Sequence, residues 1–564
     1  HGAGTGTGQG FGSGHGQNGS ALGLSGVGRG GGGAGRLGRS HRPATPGAVS
    51  RPGTWAQPLV DVPIDPNGRF STTYRPGRGH LAAFEAAVSR GIVPVAARQL
   101  VADVGARYAP DVAVPAGQAL GYSVALEREA VGPGGGPLHV RVALQSTASS
   151  PAGRPRLSVH LVLDQSGSMN GEPIERAKQA AQVLVDRLAP TDEFSLISFS
   201  DDAEARVPVG FVGQRKIQIK SAIANIESGG GTNIGEALAQ AYRQARQRSE
   251  ANDAIPVVLL LSDGQPTVGE RSSARLSARA LEAFQDGIQT STFGLGNSYD
   301  GNLMSAVASD GAGGYYYLRD SEQIGAAFRA ELDQRLDPAA TAVELRLRLD
   351  DGVELLHVYG SRRLGQDASA RVRAKEVAAD QQAEKRFGIE KDRQSDAEGG
   401  MRFFIPAFAR DDSYALLVKV AVPEGKGRRK VGVLEIKYKD RLRGRNVIDE
   451  QPIEVAYAAS DSASVASLDP SVARTVHGHK AGEDLLRAAW HLSRGDRGSA
   501  VSLLEERASL LRRAADSLDE PGFTTDAGRF ANLLAHLNGQ LPSAIQEPYA
   551  LAMVLETAGR AHLR

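Results

Sequence analysis

Between residues 155 and 336 the chain alternates short apolar runs with longer stretches of helical spacing, and this alternation leaves few folds open. Residues 157–163, 193–199, 256–261, 288–295 and 315–318 read as strands. Residues 173–188, 216–226, 234–248, 276–284, 303–308 and 321–336 read as helices. The run Val257-Val258-Leu259-Leu260-Leu261 has no polar face, as a strand covered by helices on both sides requires. Strand–helix repetition of this kind builds a doubly wound, mostly parallel α/β sheet.

The flanks have other periods. Val343-Glu344-Leu345-Arg346-Leu347-Arg348-Leu349 alternates at period two, and 414–422, 430–438 and 452–458 follow suit. Residues 337–460 are therefore expected to form an antiparallel, sandwich-like β domain. Helical spacing returns at 483–492, 500–517, 527–537 and 549–562, so 461–564 reads as a helical bundle. Upstream, the segment 56–154 carries expected helices at 81–88 and 96–104 and half-buried strands at 119–129 and 138–146. Those two strands are expected to complete the β domain, with the α/β unit inserted between its parts. The charged segment 364–400 reads as a long exposed excursion, partly helical. Residues 1–55 are dominated by glycine, which offers nothing to bury, and read as a flexible tether.

Composition excludes several functions. There is no cysteine, so disulfides, thiolate metal sites and cysteine nucleophiles are ruled out. Basic and acidic residues balance, 65 against 64, and no basic stripe alternates with aromatics, so no nucleic-acid partner is expected. No run of about 18 apolar residues exists, so no membrane span is expected. The chain begins with His1, so either a targeting segment was removed or the chain is a fragment; the first reading gives a processed, exported protein at a cell surface or otherwise outside the cytoplasm.

Five oxygen-bearing residues lie where strands give way to loops. Asp164, Ser166 and Ser168 follow the first strand, Thr232 sits in Gly230-Gly231-Thr232-Asn233, and Asp263 follows the apolar strand in Ser262-Asp263-Gly264. In a doubly wound sheet these positions share the carboxyl edge, where ligands bind. Carboxylates and hydroxyls are hard donors, suited to Mg2+, with Mn2+ or Ca2+ also possible. Two carboxylates balance one divalent charge and leave room for an external ligand, such as an Asp or Glu of a protein partner.

These residues resemble the metal-ion-dependent adhesion site of von Willebrand factor type A domains, a Rossmann-like fold shared with integrin inserted domains. The resemblance covers about 155–336. It implies that Ser166, Ser168 and Thr232 are direct ligands, that Asp164 and Asp263 act through water, and that the closing helix 321–336 moves when an external ligand binds. A second resemblance, carried by Phe70-Ser71-Thr72-Thr73, Arg98-Gln99-Leu100-Val101, Tyr108-Ala109-Pro110 and Leu138-His139-Val140-Arg141-Val142, is to bacterial YfbK-type proteins, in which one segment precedes the type A domain and a β-rich segment follows it. The expected function is metal-dependent protein binding, adhesive or otherwise, at a bacterial exterior. The alternative is a structural or assembly subunit that uses the site for self-association.

Other motifs read as structure. Arg494-Gly495-Asp496 is expected to be a turn between helices. Arg428, Arg429, Lys430, Lys437, Lys439, Arg441, Arg443 and Arg445 are expected to be solvated hairpin ends, and His477 and His479 solvent-exposed residues near a loop. No Ser–His–Asp or paired-carboxylate arrangement follows from spacing, so no catalytic residue is nominated and the chain is read as non-enzymatic.

Overall fold

The computed structural model describes residues 63–74, 108, 110–149, 155–247, 254–295, 299–318, 321–336, 338–396 and 399–538. The glycine-rich run, the helices expected at 81–104 and the helix expected at 549–562 lie outside the described residues. Strands β1 (Gly68–Phe70), β2 (Leu120–Leu126), β3 (Ala130–Val131) and β4 (Gly136–Ser146) come first. The α/β unit follows: β5 (Leu157–Asp164), α1 (Glu172–Arg187), β6 (Glu193–Phe199), β7 (Ala203–Phe211), α2 (Lys216–Ala224), α3 (Ile234–Arg246), β8 (Ile255–Ser262), α4 (Ser273–Gln285), β9 (Gln289–Leu295), α5 (Gly301–Asp310), β10 (Ala312–Leu318) and α6 (Ile324–Leu336). Then come β11 (Ala340–Leu349), β12 (Glu354–Val358), α7 (Gln366–Phe387), β13 (Met401–Phe408), β14 (Ser413–Val422), β15 (Arg428–Asp440) and β16 (Arg445–Tyr457). Helices α8 (Asp461–Ala466), α9 (Pro470–Ser493), α10 (Arg497–Ser517) and α11 (Pro521–Leu537) complete the described chain.

The α/β sheet has the order β10-β9-β8-β5-β6-β7. All its pairs are parallel except β6–β7. From β5 the chain winds outward through β6 and β7, then crosses back to β8 and winds the other way, so strand order reverses at β5 and β8. Period-two alternation divides the strand side chains between two cores. Leu157, Val159, Leu161 and Leu163 join α1, α2 and α6 on one face; Val162, Val258 and Leu260 join α3, α4 and α5 on the other.

Strand β7 was not expected from the sequence. It is a half-exposed antiparallel edge, and it is blunted in three ways. Pro208 withholds an N–H, Arg215 donates to the Pro208 carbonyl at 2.8 Å, and the Gln244 side chain accepts from Val209 N–H at 2.8 Å. On α2 Ile219 and Ile223 are buried, but Ile217 is 85% exposed.

Strand β4 pairs along its length with β14, from Gly136–Val422 to Gln145–Ser413, in a four-stranded sheet β12-β14-β4-β2. A six-stranded sheet β1-β13-β11-β15-β16-β3 covers it, and both sheets bury one core including Val140, Leu144, Leu345, Phe403 and Leu434. Strands before and after the α/β unit thus share a sheet, and the unit enters between β4 and β11.

The segment expected as an exposed, partly helical excursion does carry helix α7, but it packs against its neighbours: Lys375, Glu376 and Asp380 are buried, while Asp367, Glu384 and Lys385 stay exposed. Lys439 reaches Asp380 at 2.6 Å and Asp392 at 2.8 Å, and Arg69 reaches Glu376 at 2.8 Å. Arg371 and Lys375 meet Asp310 at the end of α5, at 2.6 and 3.4 Å, tying α7 to the α/β unit. Sequence reading took polarity for exposure because these partners lie more than 40 residues away in the chain. The hairpin-end reading holds for Arg428, Lys430 and Arg445, which are exposed at strand ends, and is corrected at Lys439, which is buried. Lys437 pairs with Asp392 at 3.3 Å, Arg443 with Asp440 at 3.4 Å, and Arg441 stacks 4.1 Å from the Phe387 ring centre.

Helix α9 lies on the four-stranded sheet. His477 and His479 fall inside this helix, and His479 is buried, not solvent-exposed near a loop. Around them His139 meets Glu127 at 2.7 Å and the Tyr359 hydroxyl at 3.0 Å, while His357 meets Glu483 at 2.8 Å. Arg494-Gly495-Asp496 is a helix-to-helix turn. Gly495 has φ +79°, Arg494 stacks 4.8 Å from the Trp490 ring centre, and the Asp496 carboxylate accepts from Ser499 N–H at 3.1 Å. Among the described residues no helix is long and apolar enough to cross a membrane.

Two consequences can be measured. Lys439→Ala leaves Asp380 and Asp392 without their shared cation, and denaturant unfolding should show a loss of about 3–5 kcal/mol. Burial pushes His139, His477 and His479 below the ordinary histidine value, His477 to about 4. An unfolded chain takes up these protons near pH ~6.5. The neutral histidines' contribution to stability is therefore complete above that pH and is lost as pH falls toward 4. The melting temperature should drop by several degrees between pH 7.5 and pH 5, and less in a His477→Gln variant.

Candidate metal centre

Strand β5 ends at Asp164 and β8 at Ser262, side by side at the point where strand order reverses. Asp164 is fully buried beneath the loop that follows it. Its Oδ1 accepts the backbone N–H of Ser166 at 2.8 Å, and its Oδ2 accepts the Ser262 hydroxyl. A single turn of 3-10 helix, Gly167–Met169, then presents Ser168, with Met169 buried as the anchor. The Ser166 and Ser168 hydroxyls are 3.1 Å apart, and Ser168 donates to Asp263 Oδ1 at 2.6 Å.

The Thr232 loop closes the group. Gly167 N–H donates to the Gly230 carbonyl at 3.1 Å, and Gly229 N–H to the Gln165 carbonyl at 2.7 Å. A Cβ placed on Gly264 would lie 3.1 Å from Thr232 Oγ1 and 3.7 Å from Ser168 Oγ. Glycine at 264 thus keeps clear a cradle between hydroxyls from two separate loops. All five expected residues converge on one edge of the sheet. Exposure rises across the set, from buried Asp164, Ser166 and Thr232 to half-exposed Asp263 and exposed Ser168, so the group opens outward.

Its electrostatics suit a cation. Burial pushes the Asp164 carboxyl up to about 6; hydrogen bonds from Ser166 and Ser262 oppose that, and the charge of Asp263 adds to it. Burial also raises Asp263, against the hydrogen bond from Ser168. Two carboxyls held above their usual range in one small region favour a positive charge between them. The donor set is two carboxylates and three hydroxyls, which fits Mg2+, Mn2+ or Ca2+ and lacks the imidazole or thiolate of a typical zinc site.

Ser262 was not singled out from the sequence. The signal was present in strand parity. Leu163 pairs with Leu261 in parallel register, so the next residues, Asp164 and Ser262, fall on the same face of neighbouring strands.

Comparison with known proteins agrees with this geometry. The family model described as von Willebrand factor type A domain matches residues 158–330. Inter-alpha-trypsin inhibitor heavy chain H4 of Sus scrofa is 36% identical over 148 residues, covering 25% of this chain and 16% of that protein. Uncharacterized protein YfbK of Escherichia coli (strain K12) is 27% identical over 198 residues, covering 35% of this chain and 34% of that protein. The chain therefore spans only a minor part of these relatives' own length. The solved structure titled von Willebrand factor type A from Catenulispora acidiphila superimposes with a TM-score of 0.54 at 18% identity. It covers 80% of this chain and 99% of its own, so the likeness in fold extends well beyond the α/β unit. Domains of this family generally mediate metal-dependent protein interactions. Residues 158–330 of this chain form a von Willebrand factor type A domain.

Proposed function

We propose that Asp164, Ser166, Ser168, Thr232 and Asp263 hold a Mg2+ ion, which Mn2+ or Ca2+ can replace, and that the loaded site captures an Asp or Glu side chain of a protein partner. The observation that carries this reading is the graded set itself. A buried carboxylate, Asp164, is fixed by two hydrogen bonds beneath a pair of hydroxyls, Ser166 and Ser168, of which Ser168 touches a second, half-exposed carboxylate, Asp263. When bound, the ion supplies a concentrated positive charge in a partly desolvated face, which a carboxylate satisfies. The protein's part is orientation. Ser262 fixes one Asp164 oxygen and Ser166 N–H the other, so the ligand loop is arranged before the ion arrives. Among the described residues no general base stands out beside the set, and we read the chain as a binding module, not an enzyme. We also place the encounter outside the cytoplasm.

Calorimetric titration with Mg2+ tests the ion. The wild type should bind one ion, and Asp263→Ala should weaken binding at least tenfold. Affinity should hold steady from pH 8 to pH 7, then fall through pH 6 as Asp164 takes up its proton, by about tenfold per unit below that. A flat profile down to pH 5 would contradict the assignment.

The carboxylate is tested separately. In Mn2+-loaded protein, the water-proton relaxation enhancement should fall as acetate is added, because a carboxylate displaces bound water. An enhancement indifferent to acetate would remove the capture mechanism. Light scattering with and without EDTA separates the two uses of the site: a monomer in both favours a separate partner, and a chelator-sensitive oligomer favours assembly.

A further inference from the structure

The loop that carries Thr232 is tied into its neighbours at almost every backbone position. Gly229 N–H donates to Gln165, the Gly230 carbonyl accepts from Gly167, and Asn233 N–H donates to the Ser200 carbonyl at 2.8 Å. Two further ties depend on side chains. Asp201 Oδ1 accepts from Gly231 N–H at 3.1 Å, and Thr267 Oγ1 accepts from Thr232 N–H at 2.8 Å. Thr267 N–H also donates to the Thr232 carbonyl at 2.9 Å, so both backbone polar groups of Thr232 are held by one residue. Asn233 Nδ2 returns a hydrogen bond to the Asp201 carbonyl at 3.0 Å.

The two side chains close on the glycines between them. A Cβ at Gly231 would stand 2.6 Å from Asp201 Oδ1, 2.9 Å from Thr267 Oγ1 and 3.0 Å from Val268 Cγ2. At Gly230, where φ is +82°, a Cβ would stand 2.6 Å from Asp201 Oδ2. The loop therefore lies pinched between the segment after β6 and the segment after β8. With its N–H and carbonyl both taken, Thr232 has only its hydroxyl left to offer the Gly264 cradle.

We propose that Asp201 and Thr267 are positioning residues of the metal centre, clamping Gly230-Gly231-Thr232 from two sides so that the Thr232 hydroxyl is set beside Ser168 before an ion binds. The proposal rests on the metal reading of the site. Neither residue is assigned as a ligand; each acts through the backbone of the ligand loop. Residues in this role commonly change metal affinity by about 10–100-fold while leaving the ligands in place.

The test is Mg2+ titration by calorimetry at pH 7.5, with the melting temperature of each metal-free variant as the control for folding. Asp201→Ala and Thr267→Ala should each weaken Mg2+ binding about tenfold with the melting temperature little changed. Asp201→Asn and Thr267→Ser keep the accepting oxygen and should restore affinity. Gly231→Ala removes no hydrogen-bonding group but wedges the clamp apart, and it should weaken binding as the alanine variants do. It also keeps the proposal testable if an alanine variant fails to fold. Wild-type affinity in Asp201→Ala, Thr267→Ala and Gly231→Ala, with affinity lost in Asp263→Ala, would overturn the clamp and leave the metal centre standing. If Asp201→Asn is as weak as Asp201→Ala, charge and not position is at work, and the role given to Asp201 falls. No Mg2+ binding by the wild type would overturn the metal reading, and the clamp with it.

Discussion

Two parallel strands in fixed register govern this chain's chemistry. Leu163 of β5 lies beside Leu261 of β8, and from that pairing the positions of Asp164 and Ser262 follow. Side chains alternate across a strand, so both residues must share a face. They do so at the carboxyl edge of the sheet, where winding reverses and the loops diverge to leave a crevice. Asp164 is buried there with its two oxygens already hydrogen-bonded. The loops of Ser166, Ser168, Thr232 and Asp263 are then arranged around a fixed carboxylate. A register slip of one residue would turn Asp164 toward the opposite core and dissolve the group.

The surrounding architecture holds this unit in a frame. The β sandwich is assembled from chain on both sides of the α/β unit, so its core cannot form until the ends of β4 and β14 meet. Helix α7 braces the junction with charges where apolar residues are the usual choice. Lys375 and Arg371 reach the end of α5, while Asp380 and Glu376 reach back to Lys439 and Arg69 of the sandwich. Buried pairs of this kind add little net stability over apolar packing but are costly to break. They fix the pose of α7 against both neighbours.

What could be read from the sequence followed the range of the interactions. The α/β unit was legible because period-two and helical spacing are local, and because Val257–Leu261 has no polar face. The five oxygen donors were legible because each stands directly after a strand or before a helix. Strand β7 was missed because an edge strand with Pro208 and mixed polarity lacks the apolar run of a buried one. The burial of helix α7 and of Lys437 and Lys439 was missed because their charges look solvated until partners more than 40 residues away are brought in. His479 was misplaced for the same reason, since its helix begins at Pro470, ahead of the spacing that marked it. Ser262, Asp201 and Thr267 touch the site through hydrogen bonds to its other residues, and only strand register and loop closure bring them there.

The central claim is that hydroxyls and carboxylates from three loops converge on one divalent ion. Crystals grown with Mn2+ and measured for anomalous scattering address it directly. The account predicts one strong peak in the cradle beside Gly264, within about 2–2.5 Å of hydroxyl oxygens from Ser166, Ser168 and Thr232. An ordered site with no peak there, or with the manganese bound elsewhere on the chain, would contradict it.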